Sequence, residues 1–164
     1  MTYSRHFSLV DGVSSHFDGA VEGLDAFTVT RYAGLYAVSS AAVLELALKE
    51  IVIEFARSRD VVFGEYLASR YETLNGRIKL AHIRDEHLKP FGGIFLDRFN
   101  RLLKRLDDFS LRRQLGSVIS SYGNLLTCRH TFAHEGKTTC TYQEVKAGFE
   151  AGKIVMACLN HVLQ

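Results

Sequence analysis

A single proline, Pro90, interrupts this chain of 164 residues. Proline removes a backbone hydrogen-bond donor and clashes with the preceding helical turn, so its scarcity leaves long stretches free to be helical. Apolar residues recur at helical spacing through most of the chain, and no segment alternates like a strand bounded by hairpin turns. The sequence therefore predicts an all-α helical bundle of about five or six helices.

The length corresponds to one domain, so residues 1–164 are expected to form a single helical unit. Ser, Gly and Asp are frequent in the first 24 residues, and residues 1–29 are assigned to an N-terminal arm or helix. Pro90, Gly92 and Gly93 together form the clearest break in the chain. This break separates a front half from a back half.

A central helix is predicted from Thr30 to Arg57, because its apolar face is wider than the stripe of a surface helix. Shorter helices are predicted at residues 61–71, 75–88 and 94–106.

The ends of the later helices carry local signals. Asp107 and Asp108 suit the start of a helix that would begin before Leu111 and continue with Leu115 and Tyr122 on one face. Thr141 and Glu144 have the spacing of a capping box, so a last amphipathic helix is expected to begin there.

The charge is nearly balanced, with 20 Lys and Arg against 18 Asp and Glu. A cationic footprint over the whole molecule is therefore absent, although residues 77–113 hold ten basic and five acidic residues. That stretch is either solvated helix surface or a local patch that attracts phosphates. The cations considered for guiding RNA by charge are Lys104, Arg105, Arg112 and Arg113.

The three cysteines form no Cys-x-x-Cys pair, and with the histidines they make no zinc spacing. The N-terminus lacks a signal-peptide pattern, and no apolar run is long enough to span a membrane. The sequence predicts a reduced, cytoplasmic protein with no metal, cofactor or membrane segment.

Arg129 and His134 are the candidate functional pair. If the helix predicted from Leu111 continues, Arg129 lies on its apolar face, where a cation is costly unless an anion meets it. Two side chains five residues apart point about 140° away from each other on a continuous helix. Convergence would need the helix to end near Ala133, with Gly136 at the exit, or a second subunit. Otherwise Arg129 is structural and His134 caps the helix.

Residues 128–136 read Cys-Arg-His-Thr-Phe-Ala-His-Glu-Gly. The string resembles the Arg-polar-x-x-x-His signature of the HEPN superfamily, which often takes the form Arg-Asn-x-x-Ala-His-Gly. Here His130 fills the polar position and Ala133 precedes His134, whereas Glu135 is a departure before the glycine. The arrangement of helices over residues 30–164 is similar to bacterial HEPN nucleases of the RiboL-PSP-HEPN and MAE kinds.

This resemblance implies a metal-independent endoribonuclease that acts as a homodimer, with two motifs meeting across a composite cleft. His134 would act as general acid or base, and Arg129 would hold the scissile phosphate. The 2′-OH of RNA would attack, leaving a 2′,3′-cyclic phosphate and a 5′-hydroxyl. The biological role would be a toxin or antiviral defence effector, with an antitoxin or sensor protein as a further partner.

Two other readings stay open. One is a non-catalytic HEPN module that binds nucleotide, RNA or a protein, and the other is a helical adaptor in which Arg129 and His134 serve only the fold.

Two further residues are candidates for supporting roles. His130 either positions RNA or is an exposed polar residue beside the motif. Glu45 falls inside the apolar face of the central helix, one turn before Lys49. It either forms a partly buried ion pair with Lys49 or reaches the cleft and orients Arg129 or His134.

Overall fold

The computed structural model describes residues 2–20, 23–138 and 140–164. This part of the chain contains seven α-helices and no strand, which confirms the all-α prediction and slightly exceeds the expected five or six helices. The helices are α1 (Phe7–Ala20), α2 (Ala26–Arg59), α3 (Val61–Glu72), α4 (Leu80–His82), α5 (Gly93–Arg112), α6 (Val118–Glu135) and α7 (Tyr142–Leu163).

The N-terminal segment is helical rather than an extended arm, apart from residues 1, 21 and 22, which lie outside the described residues. A short 3₁₀ turn, Tyr3–His6, leads into α1. The side chains of Phe7 and Val10 are buried in the core. Ion pairs from Asp11 and Asp18 of α1 to lysines of α7 hold this helix against the C-terminal one.

The longest helix, α2, lies at the centre and packs against α1, α3, α6 and α7. Asp25 caps its N-terminus by accepting a hydrogen bond from the backbone N–H of Thr28 at 3.0 Å. This cap lets the helix begin earlier than the predicted Thr30. The prediction of a central, heavily buried helix is confirmed, since Leu44 and Leu48 are almost fully buried.

Regular α-helix is lost on both sides of the predicted break at Pro90. The helix predicted at residues 75–88 begins only at Leu80, and beyond α4 it continues as a π-helix, Ile83–Leu88. A 3₁₀ turn at Lys89–Phe91 contains Pro90, and Gly92 follows with φ 124°, a conformation that favours glycine. The chain then enters α5.

Helix α5 passes without a break through Asp107 and Asp108, so the helix start predicted there is wrong. The chain turns farther on, where Gln114 and Gly116 both adopt positive φ, at 60° and 85°. Residue 115, a leucine, lies in this turn and not in the helix of Arg129.

Asp107 nevertheless serves the start of α6 from across the turn. Its Oδ1 accepts hydrogen bonds from the Ser117 hydroxyl at 2.8 Å and from the backbone N–H of Ile119 at 3.0 Å. Ser117 is the N-cap residue itself and accepts from the N–H of Ser120. The acidic residue therefore stabilises a helix that begins eleven residues later.

Residues 75–79, called the 75–79 segment below, connect α3 to α4 without regular structure. Its backbone groups are bound by side chains of the helices. The N–H of Gly76 donates to Oε2 of Glu45 at 2.7 Å, and the carbonyl of Ile78 accepts from the hydroxyl of Tyr122 at 2.5 Å. These bonds fix an irregular segment against α2 and α6.

His87 holds the same segment from the other side. Its Nε2 donates to the carbonyl of Arg77 at 2.8 Å, and because a carbonyl only accepts, Nδ1 accepts from the hydroxyl of Tyr71 at 2.6 Å. Burial lowers the pKa of His87 and raises the pKa of Tyr71. The buried pair is therefore a neutral ring and a protonated phenol.

This burial predicts a dependence of stability on pH. As the pH falls through about 6.5, His87 gains a proton in the unfolded chain but stays neutral in the folded chain. The free energy of unfolding therefore falls. Urea titrations between about pH 7.5 and pH 5.5 measure the slope. We expect a smaller slope for His87→Gln, whose amide still donates to Arg77, and the wild-type slope for the exposed control His16→Gln. Equal slopes for all three proteins would contradict the assignment.

A second prediction concerns the contact between α6 and α7. A Cβ added at Gly148 would lie 2.7 Å from Cβ of Leu125 and 2.8 Å from the backbone oxygen of Ser121. We expect Gly148→Ala to lower the free energy of unfolding by about 1–3 kcal/mol, because overpacked atoms must move apart. Gly123→Ala is the matched control, since apart from the adjoining backbone of its own helix nothing lies within 4 Å of its added Cβ. It should raise stability by about 0.5–1 kcal/mol in denaturant titrations.

The start of α7 is as predicted. The Thr141 hydroxyl accepts from the N–H of Glu144 at 3.2 Å, and Glu144 accepts from the N–H of Thr141 at 2.8 Å. The capping box is confirmed.

Candidate functional site

A cleft of about 540 Å³ lies between α2, α6 and the 75–79 segment, and is called the basic cleft below. Apolar side chains, among them Val38 and Leu126, line part of its wall. The lining residues that carry or can acquire charge are Glu45, Lys49, Arg77, Lys79, His82, Arg129 and His130. Cations therefore dominate this surface.

Glu45 is the carboxylate in this lining. It forms the predicted ion pair with Lys49, at 3.2 Å, and both side chains are less than one-fifth exposed. The carboxylate also accepts from the N–H of Gly76, as described above. Glu45 thus shares the wall of the basic cleft with Arg129, while its own hydrogen bonds hold Lys49 and the 75–79 segment.

The other cations differ in how they are compensated. Arg77 pairs with Glu86 at 2.8 Å, outside the lining. Arg129 is partly buried on α6 and Lys79 is exposed, and within the described residues neither side chain has an ion pair or hydrogen bond. Burying part of a guanidinium without an anion is costly. The basic cleft is therefore a site where an added anion is favourable.

The predicted face shared by Arg129, Leu111 and Leu115 does not exist. Leu111 belongs to the end of α5 and Leu115 to the following turn, and the two side chains are 50% and 75% exposed. Arg129 instead follows the buried Tyr122 by two turns of α6. Part of the apolar environment predicted for it is thus absent.

His130 and His134 are neighbours on the exposed side of α6. Their ring centroids lie 4.5 Å apart, with 54° between the ring planes. His130 lines the basic cleft beside Arg129, whereas His134 lies one turn beyond it and outside the lining. The order across the helix surface is therefore Arg129, His130, His134.

Helix α6 ends one residue after His134. It continues to Glu135, and Gly136 closes it with φ 66° and an N–H bond to the carbonyl of Phe132 at 2.9 Å. Gly136 is the exit that the sequence indicates, but the helix does not end as early as residue 133. Arg129 and His134 consequently stay about 140° apart on one regular helix. A single chain does not bring them together.

The exposed cations proposed for RNA guidance lie elsewhere. Lys104, Arg105 and Arg112 project from α5, and Arg113 follows it with its guanidinium 5.0 Å from the ring centroid of Phe109. None of the four lines the basic cleft.

Sequence analysis did not single out the lining residues Lys79 and His82. Their chemistry is ordinary, and they reach the basic cleft only because distant side chains hold the 75–79 segment there. The nearest signal was the basic stretch at residues 77–113, which contains Arg77 and Lys79 and was considered as a local patch that attracts phosphates.

Cys128 is adjacent to Arg129 in sequence but is fully buried. Burial raises the pKa of its thiol to about 12, so the sulfur stays protonated at neutral pH and is a poor nucleophile. Across the described residues, no three His, Cys, Asp or Glu side chains are grouped to hold a metal ion. None of the described helices is long enough and apolar enough to cross a membrane.

The chain was compared with protein families, curated proteins and solved structures. No curated protein and no solved structure matches the chain. The model of the RiboL-PSP-HEPN family matches residues 7–164, a span that begins with α1 and includes the basic cleft and the segment 128–136. The predicted relation to HEPN domains is confirmed. The chain belongs to the RiboL-PSP-HEPN family.

Proposed function

We propose that this protein is a cytoplasmic, metal-independent endoribonuclease that acts as a homodimer. The observation that carries the proposal is Arg129, a partly buried guanidinium without an anionic partner among the described residues, in the lining of the basic cleft and next to two histidines. HEPN domains are often nucleases, which agrees with this chemistry. The biological role that we propose is a toxin or antiviral effector, held in check by an antitoxin or sensor protein.

The proposed reaction uses the substrate's own nucleophile. Arg129 binds the scissile phosphate through its forked donors and offsets the negative charge that grows in the transition state. His134 takes the proton from the 2′-OH as general base, or gives one to the leaving 5′-oxygen as general acid, since an imidazole can do either. Water makes the other of the two proton transfers. The 2′-oxygen bonds to phosphorus and the P–O5′ bond breaks. The products are a 2′,3′-cyclic phosphate and a 5′-hydroxyl.

The other lining residues have supporting roles in this proposal. His130, between Arg129 and His134 on the helix surface, contacts the RNA next to the scissile phosphate. Lys79 attracts a neighbouring phosphate. Glu45 does not touch RNA and instead positions Lys49 and the 75–79 segment through the bonds described above.

The dimer follows from the angle between the two motif residues. Because Arg129 and His134 diverge on one helix, a complete site needs Arg129 of one protomer and His134 of the other. A two-fold axis near the exposed side of α6 would form two such sites. Leu46 of α2, which lines the basic cleft, and Leu35, three turns earlier on the same helix face, are 49% and 51% exposed and support an interface there.

A second candidate function is a non-catalytic HEPN module. It is favoured by the fact that one chain already has an anion site, with Arg129 and Lys79, that does not include His134. Such a module would bind the phosphate of a nucleotide or of RNA and leave the chain uncut.

The first test measures RNA cleavage in the presence of EDTA. We expect the wild-type protein to cut RNA, and Arg129→Ala and His134→Ala each to lower the rate by about 10²–10⁴-fold without loss of helical circular dichroism. Product analysis should find 2′,3′-cyclic phosphate ends.

The matched controls are Arg70→Ala and His16→Ala, which remove an exposed arginine and an exposed histidine far from α6 in sequence. Both should cut RNA at the wild-type rate. Binding of RNA without cleavage by the wild-type protein would favour the non-catalytic module. Unfolding of both motif variants, with no effect of any protein on RNA, would favour the adaptor.

The second test distinguishes a composite site from a site within one chain. Mixed Arg129→Ala and His134→Ala protomers form heterodimers in which one of the two composite sites keeps both side chains. After subunit exchange we expect the two inactive proteins together to regain about a quarter of the wild-type activity.

Mixing Arg129→Ala with the double variant Arg129→Ala/His134→Ala is the control, since no intact composite site forms. Light scattering on the wild-type protein measures the dimer directly. A stable monomer at micromolar concentration, or no recovery after confirmed exchange, would rule out the composite site.

A further inference from the structure

Helix α5 carries a second basic surface that shares no residue with the basic cleft. Two adjoining depressions of about 470 and 320 Å³ run along it and meet at Leu102 and Arg105. We call their combined surface the α5 groove. Its floor is apolar, and the lining side chains that can contact a ligand through charge or an aromatic ring are Arg98, Arg101, Arg105, Asp108, Phe109, Arg112 and His161.

The four arginines are spaced along one face. Positions 98, 101, 105 and 112 fall within about 60° on a helical wheel and extend over about 21 Å of the helix axis. They are all exposed. His161, an exposed residue of α7, lies on the opposite wall near Arg98 and Arg101.

These arginines are uncompensated, in contrast to cations elsewhere on the molecule. Lys146 and Lys153 of α7 pair with aspartates of α1, both at 2.6 Å, and Arg57 pairs with Glu65 at 2.9 Å. Within the described residues, no side chain of the α5 arginines makes an ion pair or hydrogen bond.

The carboxylates close to the groove do not change this. Asp108 lines one of the two depressions and has no such partner among the described residues either. Asp107 instead accepts hydrogen bonds from Ser117 and Ile119 at the start of α6. The groove therefore carries a net positive charge.

An exposed aromatic ring completes the groove. Phe109 is 49% exposed, and the guanidinium of Arg113 lies 5.0 Å from its ring centroid. An exposed aromatic face among arginines is the combination on which bases of single-stranded nucleic acids stack. An acidic polypeptide would pair with the arginines but would not require this ring.

We propose that the α5 groove binds a single strand of RNA, with its phosphates on the arginines and a base stacked on Phe109. A stacked strand advances about 3.4 Å per nucleotide, so the row of arginines spans about six nucleotides. The choice of RNA rests on the ribonuclease proposed above, whereas the charge and the aromatic ring are independent of it. The groove supplies affinity for the strand and takes no part in the chemistry.

The test uses a 2′-O-methylated RNA of about twelve nucleotides, which cannot be cleaved through a 2′-OH. Fluorescence anisotropy at several salt concentrations gives its affinity for the full-length protein. For Arg98→Gln/Arg105→Gln we expect at least about tenfold weaker binding, and a slope of log K against log salt that is smaller by about 1.4. We expect the same loss of affinity and the same reduction of the salt slope for Arg101→Gln/Arg112→Gln.

The matched control is Arg59→Gln/Arg70→Gln, which removes two exposed arginines of α2 and α3. It should keep the wild-type affinity and salt slope. Phe109→Ala separates stacking from charge: we expect about fivefold to hundredfold weaker binding of the RNA and unchanged binding of inorganic polyphosphate, which has no bases.

Wild-type RNA affinity and salt slope in both arginine variants would overturn the proposal. So would binding of a polyglutamate peptide in preference to RNA, which would identify the groove as a protein-binding surface. Cleavage of ordinary RNA is assayed separately, so the two proposals can fail independently. If the groove variants bind RNA more weakly but the wild-type protein does not cleave RNA, the groove proposal is supported and the ribonuclease proposal is rejected. If the groove variants keep the wild-type affinity and the wild-type protein cleaves RNA, the ribonuclease proposal is supported and the groove proposal is rejected.

Discussion

The close approach of α2, α6 and α7 determines the rest of this structure. At each of the three contacts, one helix contributes a glycine and the other fills the space of the missing side chain: Gly34 against Phe132, Gly148 against Leu125, and Gly152 against Leu44. Side chains larger than hydrogen at these positions would separate the helices. Because α6 is held by both neighbours, its rotation is fixed. That rotation turns Arg129 toward α2 and leaves His134 on the outer side.

The basic cleft depends on that packing through the 75–79 segment. Side chains of three helices bind backbone groups of three consecutive residues of this segment, Gly76, Arg77 and Ile78, and each bond exists only while its own helix stays in place. An unpaired buried carbonyl costs about 1–3 kcal/mol, so losing one anchor weakens the segment as a whole. Within the described residues, the side chain of Lys79 enters the lining without a hydrogen bond or ion pair of its own. It is positioned by the bonds that hold the 75–79 segment, whereas Lys49 is held by its ion pair with Glu45 and Arg77 by its ion pair with Glu86.

Patterns that act within one or two helical turns were predictable from the sequence. The buried central helix, the capping box at Thr141 and the interruption at Pro90 each depend on neighbouring residues. Asp107 was misread because an acidic residue before an apolar run looks the same whether it caps its own helix or one across a turn. The full lining of the basic cleft was out of reach, because tertiary packing alone joins its members. Glu45 beside Arg129 was one of two alternatives, and no pattern placed Lys79 with them. The five-residue spacing of Arg129 and His134 was informative. Because α6 is regular, the two side chains stay about 140° apart, as the spacing predicts.

The net charge is only +2, but the acidic and basic side chains are distributed differently over the molecule. Carboxylates of α1, α2 and α3 are largely used in pairs that connect helices, such as Lys146 with Asp18. The cations left over are concentrated on α5 and in the basic cleft, so near neutrality of the whole chain does not argue against a polyanionic ligand. The two surfaces suit different tasks. In the functions proposed above, the exposed arginines of α5 would supply affinity for the strand, which salt weakens by screening. The partly buried Arg129 would bind a phosphate where there is less water and electrostatic stabilisation is stronger. Affinity and chemistry could then be changed separately, since no side chain is assigned to both.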